Sequence, residues 1–212
     1  MSDVICIDIE TRRTEDPAVI RRLQASVKPP GQYKKADSIA QWHATEGAAA
    51  RVEAVSRTAL DGTYGSLASV AWVVNDDAPQ EVHGDDEAGM LHAVREILSG
   101  CANIPGSPTL VAFNGEFDFR FLKKRFIINR IPAPYLPLNR WDSYFDPMKE
   151  WEGYRGYISQ ADLEAALGIV RDDDMTGAGI GDAIDTGDWA SVVKHNLEDV
   201  RCLREIYKRM TL

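Results

Sequence analysis

Hydrophobic and polar residues follow two periods along this chain, one typical of strands and the other of helices. Apolar runs predict strands at residues 4–9, 65–74 and 109–113, with a shorter one at 81–84. Apolar residues at helical spacing predict helices at residues 85–98, 115–128, 160–167 and 189–210. Strands that alternate with helices predict an α/β fold, in which a mixed central sheet carries helices on both faces.

The segments between these elements have weaker patterns. Proline and glycine interrupt residues 11–35, where we expect irregular chain and one short helix at 17–25. Asp37 or Ser38 is predicted to cap a helix that continues to about Thr58. Residues 129–140 are predicted to be a loop, 141–151 are ambiguous, and 171–187 are predicted to be a flexible loop. We therefore expect one domain over residues 1–212, with an insertion of loop and helix at about 11–60.

The composition is that of a globular protein, with 44% hydrophobic and 27% charged residues. No apolar run approaches the roughly 20 residues that a membrane helix needs, so we expect no membrane partner. The N-terminus has an acid at position 3 and no basic region, so no secretory signal is expected. The cysteines Cys6, Cys101 and Cys202 are scattered, which favours a cytoplasmic location over a disulfide framework.

The charge is acidic overall but segregated along the chain. A net charge of −9 argues against a protein that coats nucleic acid through bulk charge. Two stretches, residues 21–35 and 120–140, contain basic residues and no acid. A single run of this kind is ordinarily a solvated face, but two of them favour an anionic partner. The basic residues are Arg21, Arg22, Lys28, Lys34 and Lys35, followed by Arg120, Lys123, Lys124, Arg125, Arg130 and Arg140.

The stretch VICIDIET contains the first predicted strand and places two acids at its end. Side chains alternate along a strand, so Asp8 and Glu10 point to the same face. Two carboxylates on one face repel each other unless a cation lies between them. The alternative is a pair of acids that enter solvent where the strand frays, and this stretch alone leaves both interpretations open.

The stretch FNGEFDFRFL places a third acid after another strand. The strand ends at Phe113, Asn114 is predicted to cap the following helix, and Asp118 falls about one turn into that helix. If this strand lies parallel beside the first, Asp118 emerges at the edge where ligands of open α/β sheets collect. The alternative is an acid that only complements the helix dipole.

The stretch KHNLEDV adds a fourth acid and a histidine on the last helix. His195 and Asp199 are four residues apart and share one face. We expect them at the margin between an apolar stripe, which includes Val200 and Tyr207, and the solvated side. An acid at the rim of the core needs a partner. The alternative is a simple pair of His195 and Asp199 that supports the helix.

Together these stretches provide four acids that are expected at one edge of the sheet. Such a cluster is unstable without cations, and all-oxygen ligands suit Mg²⁺ or Mn²⁺. Two such ions about 4 Å apart are the standard arrangement for phosphodiester cleavage, because one activates water and the other stabilises the leaving oxygen. The expected metal ligands are Asp8, Glu10, Asp118 and Asp199.

The motifs DIET, NGEFD and HNLED, in this order, resemble the three exonuclease motifs of the DEDD 3′–5′ exonucleases, which have a ribonuclease H-like fold. The resemblance spans nearly the whole chain and is strongest for stand-alone predicted exonucleases of bacteria and phages, related to DNA polymerase proofreading domains. It implies that Asp8, Glu10 and Asp199 bind one metal ion. It also implies that Asp8 bridges to a second ion, which Asp118 holds directly or through water.

The same resemblance implies a fifth residue that activates the attacking water. In the family this is usually a tyrosine four residues before the last aspartate, or a histidine five before it. Here His195 lies four residues before Asp199, in the tyrosine position, and Lys194 lies five before. An unperturbed histidine pKa of about 6.5 suits proton transfer near neutral pH, so we expect His195 to be the base. The alternative is a substitution that slows the enzyme.

The resemblance further implies that the terminal 3′ nucleotide enters beside the first motif. Thr11 is expected to cover its ribose, and Phe117 and Phe121 are expected to wedge or stack on bases, although core packing is favoured for Phe121. Aromatic stacking with a basic track holds single strands without reading their sequence. The expected substrate-binding residues are Thr11, Asn114, Phe117, Arg120, Phe121 and Lys124.

The leading interpretation is a two-metal 3′–5′ exonuclease that acts on single-stranded ends, with DNA preferred, and releases nucleoside 5′-monophosphates. An exoribonuclease or oligoribonuclease would use the same acids, since the choice depends on contacts to the 2′-OH that the sequence does not show. A weakened, non-cleaving nucleic-acid-binding module has only the placement of His195 in its favour. The basic runs disfavour a phosphohydrolase of small nucleotides. A proofreading role would need a polymerase or repair partner in trans.

Overall fold

The computed structural model describes residues 3–139 and 142–212. The chain divides into two compact units. One unit is residues 12–66, and the other combines the chain before residue 12 with residues 67–212. Arg140, named above in the second basic run, and Trp141, which begins the ambiguous segment, lie outside the described residues.

A four-stranded sheet has the order β3-β2-β1-β4. β1 runs parallel to β4, with Val4 beside Thr109 and Cys6 beside Val111, and β2 is antiparallel to β3. The backbone N–H of Asn75, just after β2, donates to the carbonyl of Val4, so β1 and β2 run in opposite directions. The sheet is therefore mixed, as predicted. The strands are β1 (Val4–Arg12), β2 (Ser66–Val74), β3 (Gln80–His83) and β4 (Thr109–Val111).

Helices surround the sheet and also form the smaller unit. The smaller unit contains α1 (Pro17–Ser26), α2 (Ala36–Thr45), α3 (Gly47–Ser56) and a 3₁₀ turn at Arg57–Leu60. The larger unit contains α4 (Glu87–Ile97), α5 (Glu116–Ile128), α6 (Pro147–Glu152), α7 (Gln160–Leu167), α8 (Gly177–Thr186) and α9 (Trp189–Met210).

The central strand β1 is covered on both faces because its apolar side chains alternate. Ile7 and its neighbours on one face pack against α4 and α5, in a core that includes Leu91 and Phe119. Cys6 on the other face packs against Val200 and Leu203 of α9. The predicted α/β class, with helices on both faces of the sheet, is confirmed. β1 is longer than predicted, since the strand continues to Arg12.

In the smaller unit, the single helix predicted after residue 36 is replaced by two shorter helices. These helices are α2 and α3, which meet at Glu46. The Trp42 ring is 3% exposed, and a Cβ atom on Gly47 would lie 3.2 Å from it. The absence of a side chain at Gly47 therefore lets the chain turn closely over Trp42. α1 begins after Asp16, whose side chain accepts a hydrogen bond from the Ala18 N–H.

The predicted flexible loop at 171–187 is wrong for its second half, which is helix α8. Glycines at positions 177, 179 and 181 lower helix propensity by about 1 kcal/mol each relative to alanine. Ile180 and Ala183 nevertheless become buried where α8 packs against α9. Apolar burial of this kind outweighs a weak local preference, so the helix forms in its tertiary context.

The remaining elements lie near their predicted positions. α7 and α9 have the predicted bounds, and the Ser159 side chain caps α7 by accepting from the Asp162 N–H. The ambiguous segment contains α6, with a proline in its first turn. Within residues 3–139 and 142–212, no helix combines the length and apolar character that a bilayer crossing requires. Cys6, Cys101 and Cys202 are free and buried.

Candidate active site

One cavity of about 300 Å³ lies where β1, α5 and α9 meet. Its lining contains all four acids predicted as metal ligands, together with the predicted base. β1 reaches this edge parallel to β4, whose end leads through a short turn into α5, so the acids of β1 and α5 arrive together. The predicted residues that converge here are Asp8, Glu10, Asp118, His195 and Asp199.

The two acids of β1 are held by the packing of the strand that carries them. Ile7 and Ile9 are buried on the opposite face of β1, so Asp8 and Glu10 project on the α9 side. Asp118 is 5% exposed and lies so near the strand that its carboxyl accepts a hydrogen bond from the Ile9 backbone N–H. A first-turn acid that only complements a helix dipole does not fit this burial.

The histidine of α9 is more deeply buried than predicted. His195 is 6% exposed and belongs to the buried face with Val192 and Asn196, so the expectation that it lies at the margin is wrong. His195 and Asn196 are buried against polar groups, since His195 hydrogen-bonds with Asp173 and Asn196 with Asp8. His195 therefore points into the carboxylate cavity.

Burial raises the pKa values of the acids, and repulsion between charged groups adds to this effect. Burial, followed by repulsion from Asp199, Asp118 and Glu10, holds the pKa of Asp8 well above its usual range. Burial, followed by repulsion from Asp199 and Asp118, raises the pKa of Glu10 to about 8. Burial chiefly raises the pKa of Asp118 to about 7, and Asp146 adds to this effect. The protein side chains alone therefore do not provide enough positive charge to keep this cluster ionised.

Arg171 is the main cation that the protein itself brings to the cluster. Its guanidinium donates to Asp199 Oδ1 at 2.6 Å and also pairs with the Glu164 carboxylate through two nitrogens. Glu164 is 2% exposed, so this arrangement is built into the fold rather than formed on the surface. Burial still raises the pKa of Asp199, although His195 and Arg171 both act to lower it. The sequence prediction did not include Arg171.

Asp173 orients the histidine from the opposite side. His195 Nδ1 forms a short hydrogen bond with Asp173 Oδ2, while Nε2 faces Asp199 Oδ2 at 3.3 Å and Glu10 Oε1 at 3.9 Å. Burial by itself would raise the pKa of Asp173, but the hydrogen bond from His195 brings it below its usual value. Asp173 lies in the segment predicted to be a flexible loop, and no spacing pattern distinguishes it from the acids beside it.

A buried polar chain supports Asp8 from β2. The Asn196 Nδ2 donates to Asp8 Oδ2 at 2.7 Å, and Asn196 Oδ1 lies 2.7 Å from the Ser69 hydroxyl. The same hydroxyl lies 2.8 Å from Glu81 Oε1. Ser69 and Asn196 have no exposed surface. Asn196 directly follows His195 in the HNLED motif, yet its role depends on contacts with strands far away in the sequence.

These groups fit a divalent cation by their chemistry. Ligand atoms of Glu10, His195 and Asp199 lie within 4.8 Å of one another, and Asp8 and Asp118 line the same cavity. Carboxylate oxygens are the ligands that Mg²⁺ and Mn²⁺ prefer. The raised pKa values of these acids also favour a cation site, because a bound divalent ion supplies the positive charge that the cluster lacks.

The turn that introduces α5 is built differently from the prediction. Asn114 does not cap the helix; Gly115 is the N-cap residue and no side chain provides a cap. Asn114 instead adopts a positive φ of 51°, and its N–H donates to Asp146 Oδ1 at 3.0 Å. Asp146 is 3% exposed and was not predicted. This turn directs the start of α5, and with it Asp118, toward β1.

The predicted substrate-binding residues fall into two groups. Asn114 and Phe117 line the cavity, whereas Thr11, Arg120 and Lys124 are not among the described residues that line it. Phe121 is 2% exposed and packs in the core, which was the favoured alternative for it.

The second basic run is not one continuous surface. Arg125 is buried and binds both carboxylate oxygens of Glu87, at 2.8 and 2.7 Å, so it does not belong to a track that faces solvent. Arg120 is exposed and pairs with Glu116 one helical turn earlier. Lys123 and Lys124 are exposed on the same helix.

Comparison with known proteins gives a family and a fold. The RNase_H superfamily matches residues 67–211, which is more than half of the chain. Among solved structures, the family B DNA polymerase from the hyperthermophilic archaeon Pyrobaculum calidifontis is similar, with a TM-score of 0.57 and 12% sequence identity. The likeness covers 100% of this chain and 25% of that polymerase chain, so this chain spans a quarter of its length. No curated protein matches the sequence. The predicted ribonuclease H-like fold is confirmed.

Proposed function

Because the chain belongs to the RNase H superfamily, we propose that it is a nuclease, and more specifically a two-metal 3′–5′ exonuclease. The observation that carries this proposal is the convergence of four acids and one histidine on a single cavity. Three separate elements deliver these groups, and together they have the chemistry of two-metal phosphodiester hydrolysis. The order of the three motifs is that of the 3′–5′ exonucleases they resemble, which supports the polarity.

The four acids are the proposed ligands of two Mg²⁺ or Mn²⁺ ions. Burial is the largest cause of the raised pKa values of Asp8, Glu10 and Asp118, and carboxylates that bind a metal ion give up their protons to do so. When bound, such ions activate water and stabilise the leaving oxygen. The protein contributes a rigid frame, since β1 is fixed by core packing on both faces.

His195 is the proposed general base. The Asp173 carboxylate accepts from Nδ1–H, which leaves the lone pair of Nε2 directed toward the acids. A carboxylate in this position fixes both the tautomer and the orientation of an imidazole ring. Nε2 then accepts a proton from the attacking water. The water oxygen bonds to the phosphorus of the terminal nucleotide as the bond from that phosphorus to the 3′ oxygen of the preceding nucleotide breaks. The 3′ oxygen takes up a proton and becomes the new 3′ hydroxyl, and a nucleoside 5′-monophosphate leaves.

The proposed substrate is the 3′ end of a single strand, with DNA preferred over RNA. Asn114 and Phe117 remain the proposed contacts for the terminal nucleotide, because both line the cavity that contains the acids. Three buried free thiols fit the proposed cytoplasmic location, where thiols stay reduced.

End-labelled single strands test this function directly. DNA and RNA of matched sequence, labelled at either the 5′ or the 3′ end, are incubated with the protein in Mg²⁺, Mn²⁺ or EDTA. We expect 5′-labelled DNA to shorten one nucleotide at a time, 3′-labelled DNA to release a labelled mononucleotide first, and EDTA to stop both reactions. Asp118→Asn should lower the rate by more than about 100-fold, beyond what supporting residues of a metal site cost.

Asp182→Asn is the matched control, because Asp182 is an exposed acid on α8 of the same unit. It should shorten DNA at the wild-type rate. Shortening from the 5′ end, or activity that persists in Asp118→Asn, would contradict the proposed function. Faster degradation of RNA than of DNA would instead favour the exoribonuclease.

A further inference from the structure

An exposed aromatic segment begins at the end of α6 and continues beyond it, beside the carboxylate cavity. The segment is residues 151–157, WEGYRGY, and is called here the aromatic segment. Trp151 is 47% exposed, Tyr154 is 78% exposed and Tyr157 is 77% exposed. Large aromatic rings usually bury most of their surface, and exposed rings that occur together mark a contact site.

The rings extend outward from the acids. Tyr157 lines the carboxylate cavity itself, together with Phe117 and the four acids. Tyr154 lines a second cavity of about 430 Å³, which also contains Lys149 and Arg120. Arg120 lies on α5, the helix that carries Asp118 into the first cavity. Tyr157 therefore lies at the candidate active site, and Tyr154 lies in a cavity that α5 also lines.

The backbone of the aromatic segment is held in place although its rings are exposed. The N–H of Gly153 donates to the Lys149 carbonyl, and the N–H of Gly156 donates to the Gly153 carbonyl. Gly153 has a φ of 77°, and a Cβ atom on Gly156 would lie 2.5 Å from Glu152 Cβ. Both positions thus need glycine to make the turn. A turn fixed in this way presents its aromatic rings to a ligand at little cost in backbone order.

The charges near the aromatic segment identify the ligand further. The acids of the cavity repel an anion, so a polyanionic strand needs attraction that does not depend on bulk charge. Arg155 lies exposed between the two tyrosines. The cavity that Tyr154 lines contains Lys149 and Arg120, and both of these basic side chains pair with Glu116 of the same cavity. Aromatic rings beside an exposed basic group such as Arg155 are the combination that holds single strands, because every base has a π-face and every nucleotide has a phosphate.

We propose that Trp151, Tyr154 and Tyr157 form a platform on which successive bases of a single strand stack as its 3′ end enters the carboxylate cavity. This inference rests on the proposed function and names the contact surface for its substrate. Tyr157 contacts the base nearest the cavity, and Tyr154 and Trp151 contact bases farther along the strand. Stacking does not read sequence, so the platform binds single strands of any composition.

The test measures binding separately from cleavage. In the Asp118→Asn background, fluorescence anisotropy gives the Kd for a labelled single strand in Mg²⁺, and for a strand of the same length whose nucleotides are abasic. Tyr157→Ala and Tyr154→Ala should each weaken binding of the strand with bases by about tenfold. Neither should change binding of the abasic strand. Tyr157→Phe keeps the ring and should keep the affinity.

Ile127→Ala is the matched control, since Ile127 is 64% exposed on α5 and lacks an aromatic ring. Circular dichroism confirms that each variant is folded. Equal Kd values for the alanine variants and their parent, or an equal loss on both strands, would overturn the platform. A protein that binds strands with bases through these rings but never shortens them would overturn the proposed function alone. A protein that shortens strands with an unchanged KM after loss of all three rings would overturn the platform alone.

Discussion

The carboxylate cavity has two sides that the chain builds in different ways. On one side, β1, α5 and α9 supply the acids and the histidine from regular elements whose apolar faces lie in the core. On the other side, Arg171 and Asp173 reach in from the irregular chain between α7 and α8. The first side has positions fixed by periodic packing, whereas the second has positions fixed by ion pairs and hydrogen bonds with the first.

The regular side therefore carries the proposed metal ligands and the proposed base, whereas the irregular side carries the residues that orient them. A strand buried on both faces cannot shift without loss of core contacts, so it suits ligands whose positions must not vary. An irregular segment can place a charge wherever the neighbouring element needs one. The comparison predicts that the regular side decides whether chemistry occurs, and that the irregular side decides how fast it occurs.

The largest expected effect concerns His195 and Asp173 together. His195→Ala should lower the cleavage rate by about 10²–10⁴-fold, the usual contribution of a general base. Asp173→Asn should lower it by about 10–100-fold, because the imidazole keeps its position on α9 but loses the carboxylate that orients it. The double variant should be no slower than His195→Ala, since Asp173 acts only through the histidine.

Single-turnover rates on a labelled strand give these values, and Asp174→Asn is the control, because Asp174 is an exposed acid next to Asp173. Additive losses in the double variant would show that the two residues act independently. They would contradict the prediction that Asp173, on the irregular side, acts through His195 on the regular side.

The next effect is expected for Asn196, which supports Asp8 within the regular side. Asn196→Ala removes the donor to Asp8 Oδ2, so we expect Mn²⁺ to bind about tenfold more weakly in isothermal titration calorimetry. Lys194→Ala, an exposed change on the same helix, should bind Mn²⁺ as the wild type does. A variant that binds Mn²⁺ normally but melts at a lower temperature would show that Asn196 only stabilises the fold.

The smallest effect is a pH dependence of stability in the metal-free protein. The folded state holds Glu10 at a pKa of about 8 and Asp118 at a pKa of about 7, above the values of about 4 expected for the unfolded chain. Between about pH 4 and pH 8 the folded protein therefore binds more protons than the unfolded one, and stability falls as pH rises.

Melting temperatures in EDTA at pH 6 and pH 8 measure this dependence. Each kcal/mol corresponds to about 2–4 °C for a chain of this size. Asp118→Asn removes one of the raised groups, so it should melt at a higher temperature than the wild type at pH 8 and show a smaller difference between the two pH values. An Asp118→Asn protein with the full wild-type dependence would contradict the assignment of part of this pH dependence to Asp118.

The sequence predicted the regular side well because each group there follows a local pattern. Asp8 and Glu10 end an apolar strand, Asp118 follows a strand–helix junction, and His195 and Asp199 have helical spacing. The sequence pattern did not predict how far each side chain is buried, since His195 is buried and not at the margin of the apolar stripe.

The irregular side could not be predicted in this way. Arg171 and Asp173 lie among several charged residues with no period, and only the folded chain distinguishes the two that pair with α9. Asn196 contacts Ser69, which lies 127 residues earlier in the chain. α8 was missed because its glycines favour a loop locally, and its burial against α9 is a tertiary effect.

The Ser69 hydroxyl has a consequence for how Asp8 is supported. It carries one proton but lies within hydrogen-bonding distance of two acceptors, Asn196 Oδ1 and Glu81 Oε1. The series of hydrogen bonds that joins Glu81 of β3 to Asp8 therefore has two arrangements, which differ in the direction of the Ser69 O–H bond. When the proton points to Asn196, the amide is locked with its NH₂ group toward Asp8. When it points to Glu81, that lock opens, so the orientation of one O–H bond in the sheet decides how firmly Asp8, a proposed metal ligand, is held.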